Sequence, residues 1–577
     1  MIITEKKETT NGDAIPVVPL NNLETVDIIN PETKPEKLYI KPCGGPLGRI
    51  LCNIRKSIKD GIKKHSKICF MFLILLVIIL IGVYIGFAIS NFINTGSHID
   101  WCYGYGKAFI CTAAFLWCIT YYKGLKPLFY PTFKRYSKSI SRMKSIKYMK
   151  FAICSAFLIA FIAFIIYDTS DNRRRLISLL GVIFFLFISF ICSKHPEYIR
   201  WDIVLSGVTL QILFGLCTIR WETGRNILKC FGDNVVNFLN FGLDGATFAY
   251  GETLIVKEMV FAFQALSTLY FLAMFARILL YLGWLQIFCL KIGGVIEMCL
   301  GTTVIESINA VTIIFLGMSE APLLYSVYLI DLSSSELHAI MTSGFSTVAG
   351  TLLAAYTSLG VDPRYVVTAS IMAAPASLCF AKLHYPETIQ SKTTSKEITL
   401  LNSNDTSILQ AAINGALSAI GMVQGIIASV IACIAFIAFL NAVFSWFGTL
   451  VGYDGITLEY LVGMLFVPIA WLMGVDPEEC HTVGSLIGIK TMANEFVAYK
   501  QLGELKKVGK LSVRSEAIAT FALCAFSNPS SLGSSIATLT ALERRQNEKI
   551  NKVAFRAFIS GCITTFTSAC IAGLLTE

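Results

Sequence analysis

Apolar runs of about 20 residues recur along this chain, the length an α-helix needs to cross roughly 30 Å of hydrocarbon. The clearest lie at about 68–90, 107–122, 151–167, 176–193, 202–218 and 258–286. With no water to satisfy the backbone in a bilayer, runs this long fold as helices that bond internally. Composition agrees: 55% of the 577 residues are hydrophobic and only 15% are charged, against about 25% charged in a soluble domain. The chain reads as an all-α, polytopic integral membrane protein.

Other classes are excluded on the same grounds. The 18 cysteines are too sparse for a disulfide scaffold, none are spaced C-x-x-C, and several (Cys111, Cys118, Cys154, Cys192, Cys433) sit inside apolar runs, where Cys acts as a small hydrophobe. The six histidines are scattered and never pair at i, i+4. There is no Walker loop and no G-x-G-x-x-G, so no cofactor and no nucleotide-driven pump is expected.

The formal charge of +10 is a topology signal rather than a nucleic-acid groove. A basic stretch precedes the first run, and Lys123–Lys150 holds nine Lys or Arg and no acid. Both flank the first two spans, which places the N-terminus and that loop on the cytoplasmic side. Residues 1–50, polar and punctuated by Pro16, Pro19, Pro31 and Pro35, read as a disordered cytoplasmic tail. They lack a secretory signal, so the first span serves as the targeting signal. Residues 51–204 read as additional N-terminal transmembrane helices. Arg220–Leu243 mixes apolar and charged residues and reads as interfacial.

From about residue 290 glycines, prolines, hydroxyls and isolated acids interrupt the apolar runs. Backbone broken at membrane depth is tolerated where it is buried or lines a polar cavity. Discontinuous helices and re-entrant hairpins are how secondary transporters build a midplane site. The expected architecture has about eleven transmembrane helices plus two such hairpins.

Three acids stand out there: Glu306, Glu320 and Glu495. An acid at the bilayer centre costs about 2.5–3.5 kcal/mol, so it faces a cavity or a partner. A structural role, capping a broken helix or pairing with a cation such as Lys490, suits Glu306 best. A role toward a polar solute or a coupling proton suits Glu320 and Glu495. Pro529 in Phe526–Gly533 predicts a helix break that leaves Asn528 and Ser531 to a ligand or to packing. Gly484-x-x-x-Gly488 is explained by close helix packing.

At these residues the sequence resembles the concentrative nucleoside transporter family. Gly488-Ile489-Lys490 followed by Asn494-Glu495-Phe496-Val497-Ala498-Tyr499 is similar to the family motif G-x-K-x-x-x-N-E-F-V-A-Y. Glu306-Ser307-x-Asn309-Ala310, Ser319-Glu320-Ala321-Pro322, Ala374-Pro375-Ala376-Ser377-Leu378 and Phe526–Gly533 support it in order and spacing. The resemblance covers about 205–575 and implies a transporter core over 205–577 with scaffold and hairpin-bearing parts. It also implies an elevator-type movement and a homotrimer. By the same resemblance Ser319, Glu320 and Leu352 face the base. Glu495, Asn528 and Ser531 take the ribose hydroxyls, with Phe526 beside the sugar.

Two departures matter. Met318 stands where members usually have Gln, so a weakly accepting thioether replaces an amide at the base. Ile313 stands where sodium-coupled members have an Asn whose oxygen helps hold the ion. Thr347 and the carbonyls of Leu316 and Val348 remain as a weakened cation site. The reading is therefore proton coupling, with Glu320 or Glu495 as carrier; the alternatives are sodium symport through the weakened site or facilitated diffusion. Either ion gains about 2.3 kcal/mol per charge per 100 mV on entry.

The leading function is thus ion-coupled import of nucleosides across a membrane, the plasma membrane by expectation. A membrane-embedded enzyme would need a nucleophile, metal ligands or paired carboxylates, and no such cluster is visible. A nucleoside receptor that moves nothing is the other alternative. Asn404-Asp405-Thr406 is a glycosylation sequon, used only if its loop is outside.

Overall fold

The computed structural model describes residues 50–51, 53–55, 72, 75–76, 79–94, 101–102, 104–120, 145–392, 405–453 and 455–576. The polar tail up to residue 49, the basic loop over 121–144 and Asn404 of the sequon lie outside the described residues. Among the described residues all regular structure is helical. The chain divides into two compact units, Met1–Cys118 and Ile119–Glu577.

The first unit holds α1 (Ile79–Asn94) and most of α2 (Gly104–Thr120). The Asn91 amide donates to the Tyr105 hydroxyl at 2.6 Å, and Phe92 packs edge-on against Tyr105 and Phe109.

The second unit opens with α3 (Ser145–Asp168), α4 (Leu176–Ile191) and α5 (Trp201–Gly215), the last prolonged by a wide turn to Arg220. These match the expected spans, and Asp168 ties their ends by pairing with Arg175 at 2.9 Å and Arg220 at 2.5 Å. Helix α6 (Glu222–Tyr250) covers the segment read as interfacial. Seven helices among the described residues are long and apolar enough to span a membrane, and α6 is not one of them. The run at 258–286 is not one helix. Helix α7 (Thr268–Tyr281) gives way at Gly283, whose φ of +74° favours glycine, and α8 (Trp284–Leu300) starts there.

Beyond residue 300 one order of elements occurs twice. In the first half α9 (Val304–Leu316) turns back at 317–320 into a tight helical segment, Ala321–Asp331. A broken helix follows, α10 (Ser334–Phe345) and α11 (Leu353–Ser358), and then the long α12 (Pro363–His384). Two helices intervene, α13 (Ile408–Leu450) and α14 (Leu458–Leu472). The second half repeats the pattern with a hairpin of α15 (Cys480–Met492) and α16 (Glu495–Lys507), a broken helix of α17 (Val513–Leu523) and α18 (Pro529–Leu542), and the long α19 (Asn547–Leu575).

Local sequence chemistry sets the breaks. Ser333 with Glu336 forms a capping box that starts α10 and satisfies two orphan backbone donors, and at the start of α9 the Glu306 carboxylate accepts from the Thr303 amide. Pro529 opens a helix rather than ending one. It occupies the first position of α18, where its missing N–H is one no helix bond needs, and the unwound stretch lies just before it at 524–527. Gly317 turns the first hairpin at φ +85°, a value strained for any residue with a Cβ.

Burial distinguishes interior spans from outer ones. Of the apolar stretches, 89% of α12 and 78% of α19 lie inside, against 6% of α13, so α12 and α19 form the heart of the unit and α13 an outer wall. Gly484 and Gly488 press α15 onto α14, as the packing reading expects: a Cβ at Gly484 would stand 2.7 Å from the Gly463 carbonyl oxygen.

Candidate functional site

The unwound segments of the two broken helices meet. The Phe526 amide donates to the Thr347 carbonyl at 3.3 Å, joining the gap between α17 and α18 to the gap between α10 and α11. A second link crosses from α11 to the second hairpin, where the Tyr356 hydroxyl donates to Glu495 Oε1 at 3.3 Å. The aromatic rings of Tyr356, Phe496 and Tyr499 pack together beside it, with centroids 4.8–5.1 Å apart.

Glu495 is the centre of this arrangement. It is the first residue of α16, 3% exposed, where the positive end of the helix favours a carboxylate. Asn494 precedes it as the cap, its Oδ1 accepting from the Val497 amide at 3.1 Å. Asn528 caps α18 in the same way, accepting from the Ser531 amide at 2.9 Å, and turns its Nδ2 to Glu495 Oε2 at 2.9 Å. Lys490 does not pair with Glu495. Wholly buried, it donates to Ser527 Oγ at 2.5 Å and so ties the second hairpin to the second break.

These groups open onto a cavity of about 550 Å³. From the first half it is lined by Met318, Ser319 and Glu320 in the hairpin turn and by Leu352 after the first break. The second half contributes Glu495, Phe526, Asn528 and Ser531. The eight residues nominated for substrate thus surround one space, although they are spread over more than two hundred positions of sequence. Missed by the sequence reading is the third wall, a stripe on α13 of Ser418, Gly421, Met422, Gly425 and Ser429. The signal for it was present in small residues recurring every three or four positions on an otherwise bulky apolar helix.

Of the cation-site residues, Leu316 lines the cavity at the last turn of α9. That turn abuts the first break: a Cβ on Gly350 would stand 2.9 Å from the Ile314 carbonyl oxygen, and one on Gly317 3.0 Å from Ala349 Cβ. The last carbonyls of a helix lack intrahelical partners and carry its negative end, and Thr347 and Val348, both buried, lie in the adjoining break. Ile313 is buried in the same turn, 1% exposed.

Glu306 takes the structural role. Its carboxylate pairs with the Lys382 ammonium at 2.5 Å, the two being 0% and 6% exposed, and it accepts from the Thr303 amide at 3.1 Å. Its cation is Lys382 on α12, not Lys490. Among the described residues no cluster of three His, Cys, Asp or Glu suited to a metal is present.

Two hairpins and two broken helices converging on a polar cavity define a secondary transporter. Three family models match in succession: "Na+ dependent nucleoside transporter N-terminus" over residues 180–253, "Nucleoside recognition" over 262–362, and "Na+ dependent nucleoside transporter C-terminus" over 365–573. The chain is 38% identical to Sodium/nucleoside cotransporter 2 of Rattus norvegicus, over 76% of this chain and 69% of that one. Sodium/nucleoside cotransporter 1 of Oryctolagus cuniculus is 40% identical over 72% of this chain, which spans 65% of that relative's length. Among solved structures, CNTnw in an inward-facing substrate-bound state superposes with a TM-score of 0.66 at 32% identity, covering 69% of this chain and 97% of that one. A variant of the same protein in an outward-facing state gives 0.68, covering 70% and 99%. The chain belongs to the concentrative nucleoside transporter family, a family of membrane transporters and not of enzymes.

This membership corrects the coupling ion. Proton coupling through Glu320 or Glu495 was inferred from the missing oxygen at Ile313, but the relatives are sodium/nucleoside cotransporters and the family models name Na+. The reading counted the carbonyls of Leu316 and Val348 but gave the missing side-chain oxygen at Ile313 more weight than those that remained. A hard cation takes any oxygen, and the end of α9 beside the first break offers carbonyls whatever side chain stands at 313. Glu495, for its part, is already engaged by Asn528 and Tyr356.

Proposed function

We propose that this protein imports nucleosides together with sodium, across the plasma membrane, by alternating access of the elevator type. The observation that carries this reading is the Glu495–Asn528 pair, held by two helix caps at the cavity wall. An ionised carboxylate accepts from the hydroxyls of a ribose while the amide offers both donors and an acceptor. In this reading Ser531 and Phe526 complete the sugar end, and Met318, Ser319, Glu320 and Leu352 take the base.

Sodium, as cargo, sits at the end of α9 with the carbonyls of Leu316 and Val348 and the Thr347 hydroxyl as ligands. Its entry down the membrane potential drives accumulation at about 2.3 kcal/mol per charge per 100 mV. The inward- and outward-facing states of CNTnw support alternating access. The hairpins and broken helices would move as a body against α13. A homotrimer would cover the exposed apolar face of α13, where Ile431, Phe436 and Phe439 stand 60–64% exposed.

The test is uptake of radiolabelled uridine and adenosine by transporter-deficient cells expressing the protein, in sodium and in choline buffer. Concentrative uptake that collapses in choline is the expected result. Uptake of neither nucleoside by protein present at the surface would overturn the proposal.

A further inference from the structure

Two cavities outside the transport site adjoin the crossing of α6 and α12. Gly232 of α6 meets Pro363 there, and a Cβ on the glycine would stand 3.5 Å from Pro363 Cβ. Beside this contact lies a pocket of about 100 Å³ lined by Arg220, Arg225, Arg364, Tyr365 and Thr368. The second is a cavity of about 320 Å³ between α6, α7 and α12 that reaches the first break.

The small pocket is cationic. Arg220 pairs with Asp168 and Arg364 with Asp362. Arg225 makes no ion pair and no side-chain hydrogen bond with another described residue. The hydroxyls of Tyr365 and Thr368 are likewise without a described partner, although Thr368 is only 2% exposed. An unpaired guanidinium beside two unpartnered hydroxyls is a donor set for a phosphate.

The larger cavity is apolar. Phe231, Phe238, Phe275 and Leu279 line it, and its polar side chains are Thr351 and Ser370, the latter turned back on the Val366 carbonyl. Its rim is open, with Phe231 and Phe275 53% and 39% exposed. Apolar cavities stay dry and take apolar molecules instead. The vertical order of the two spaces is also informative. Arg220 ends one candidate span and Arg364 lies at the start of another, which puts the arginines at the level of lipid headgroups. Val366, Ser370 and Ile371 of the apolar cavity follow on α12, about 3–10 Å deeper at 1.5 Å per residue.

We propose that an anionic phospholipid occupies this seam, with its phosphate on Arg225 between Arg220 and Arg364 and one acyl chain in the apolar cavity. Basic pockets between membrane helices hold lipid headgroups in this way. The chain reaches Val348, Ala349 and Gly350, and Ala349 also lines the transport cavity. The lipid therefore braces the first break from behind, whatever solute the carrier moves.

The experiment is native mass spectrometry of the full-length protein in detergent. It is titrated with phosphatidylglycerol, with diacylglycerol of the same chains, and with inorganic phosphate. Phosphatidylglycerol should fill one saturable site per protomer, at least about tenfold more tightly than diacylglycerol, the effect of one hydrogen bond to a charged group. Inorganic phosphate should not displace it. Arg225→Ala should weaken the lipid by about tenfold or more. Ala276→Phe, which fills the cavity from α7, should do the same, since about two methylenes left in water suffice for a tenfold change. Val235→Phe gives that test from α6 if the first variant does not fold.

Unchanged lipid binding in either folded variant would overturn the proposal, and so would diacylglycerol binding as tightly as phosphatidylglycerol. Displacement by inorganic phosphate would assign the arginines to a free anion and overturn it too. None of these results bears on nucleoside uptake, so the proposed function stands or falls separately.

Discussion

Asn528 bridges to Glu495 with one end of its amide and caps α18 with the other, both bonds measuring 2.9 Å. The side chain is thus fixed at both ends, and its carboxylate partner is fixed in turn by Tyr356. Asn528→Asp keeps the capping oxygen but loses the donor and sets two carboxylates against each other. Hydrogen bonds to charged groups contribute about 1.5–3 kcal/mol, so uridine uptake should fall by about 10- to 100-fold while surface biotinylation shows the protein still in the membrane. Glu495→Gln should abolish uptake under the same control. Normal transport by either variant would place the sugar elsewhere.

The ribose itself gives a complementary test. If its hydroxyls meet Glu495 and Asn528, 2′- and 3′-deoxyuridine should each compete less well than uridine, by about tenfold or more for a lost charge-assisted hydrogen bond. In Glu495→Asp, a shortened acceptor, that gap should shrink. Equal competition by all three in the unaltered protein would count against the sugar-facing assignment.

Sodium coupling makes a prediction at Ile313. Restoring a side-chain oxygen with Ile313→Asn should lower the sodium concentration that half-saturates uridine uptake, and Thr347→Ala, which removes a ligand, should raise it. The measurement is uptake at fixed uridine with sodium replaced stepwise by choline. Unchanged half-saturation in both variants would move the cation away from the end of α9.

The pairing of Lys382 with Glu306 concerns folding rather than transport. Lys382→Ala strands a wholly buried carboxylate, and breaking a buried pair costs about 3–5 kcal/mol. The variant should lose most of its monodisperse peak in detergent by fluorescence-detected size exclusion. The double variant Glu306→Gln with Lys382→Met, which removes both charges, should recover much of it. Equal loss in the double variant would mean that the two residues act separately.

Much of this was legible in the sequence because membrane-depth breaks are rare and carry their causes with them. Gly317 interrupts an apolar run where a helix ends, Asn494, Asn528 and Pro529 do so where helices begin, and the motif around Glu495 identified the family. What escaped was of two kinds. Contacts between distant positions, such as Lys382 with Glu306 or Phe526 with Thr347, leave no local pattern. The carbonyls of Leu316 and Val348, groups that every residue possesses, were counted but given too little weight beside the missing oxygen at Ile313, and that pointed to the wrong ion. The α13 wall was missed because serine and glycine on an apolar helix read as packing until the cavity beside them is seen.

The double duty of Asn494 and Asn528 bears on how such carriers diverge. Each starts a helix while lining the cavity, so on the proposed assignment a mutation at either site harms folding and binding together and is removed by selection on both counts. Ser418, Met422 and Ser429 lie in mid-helix and terminate nothing. Heritable change in what is carried should therefore accumulate on α13 and at residue 318, while the sugar end stays as it is across lineages.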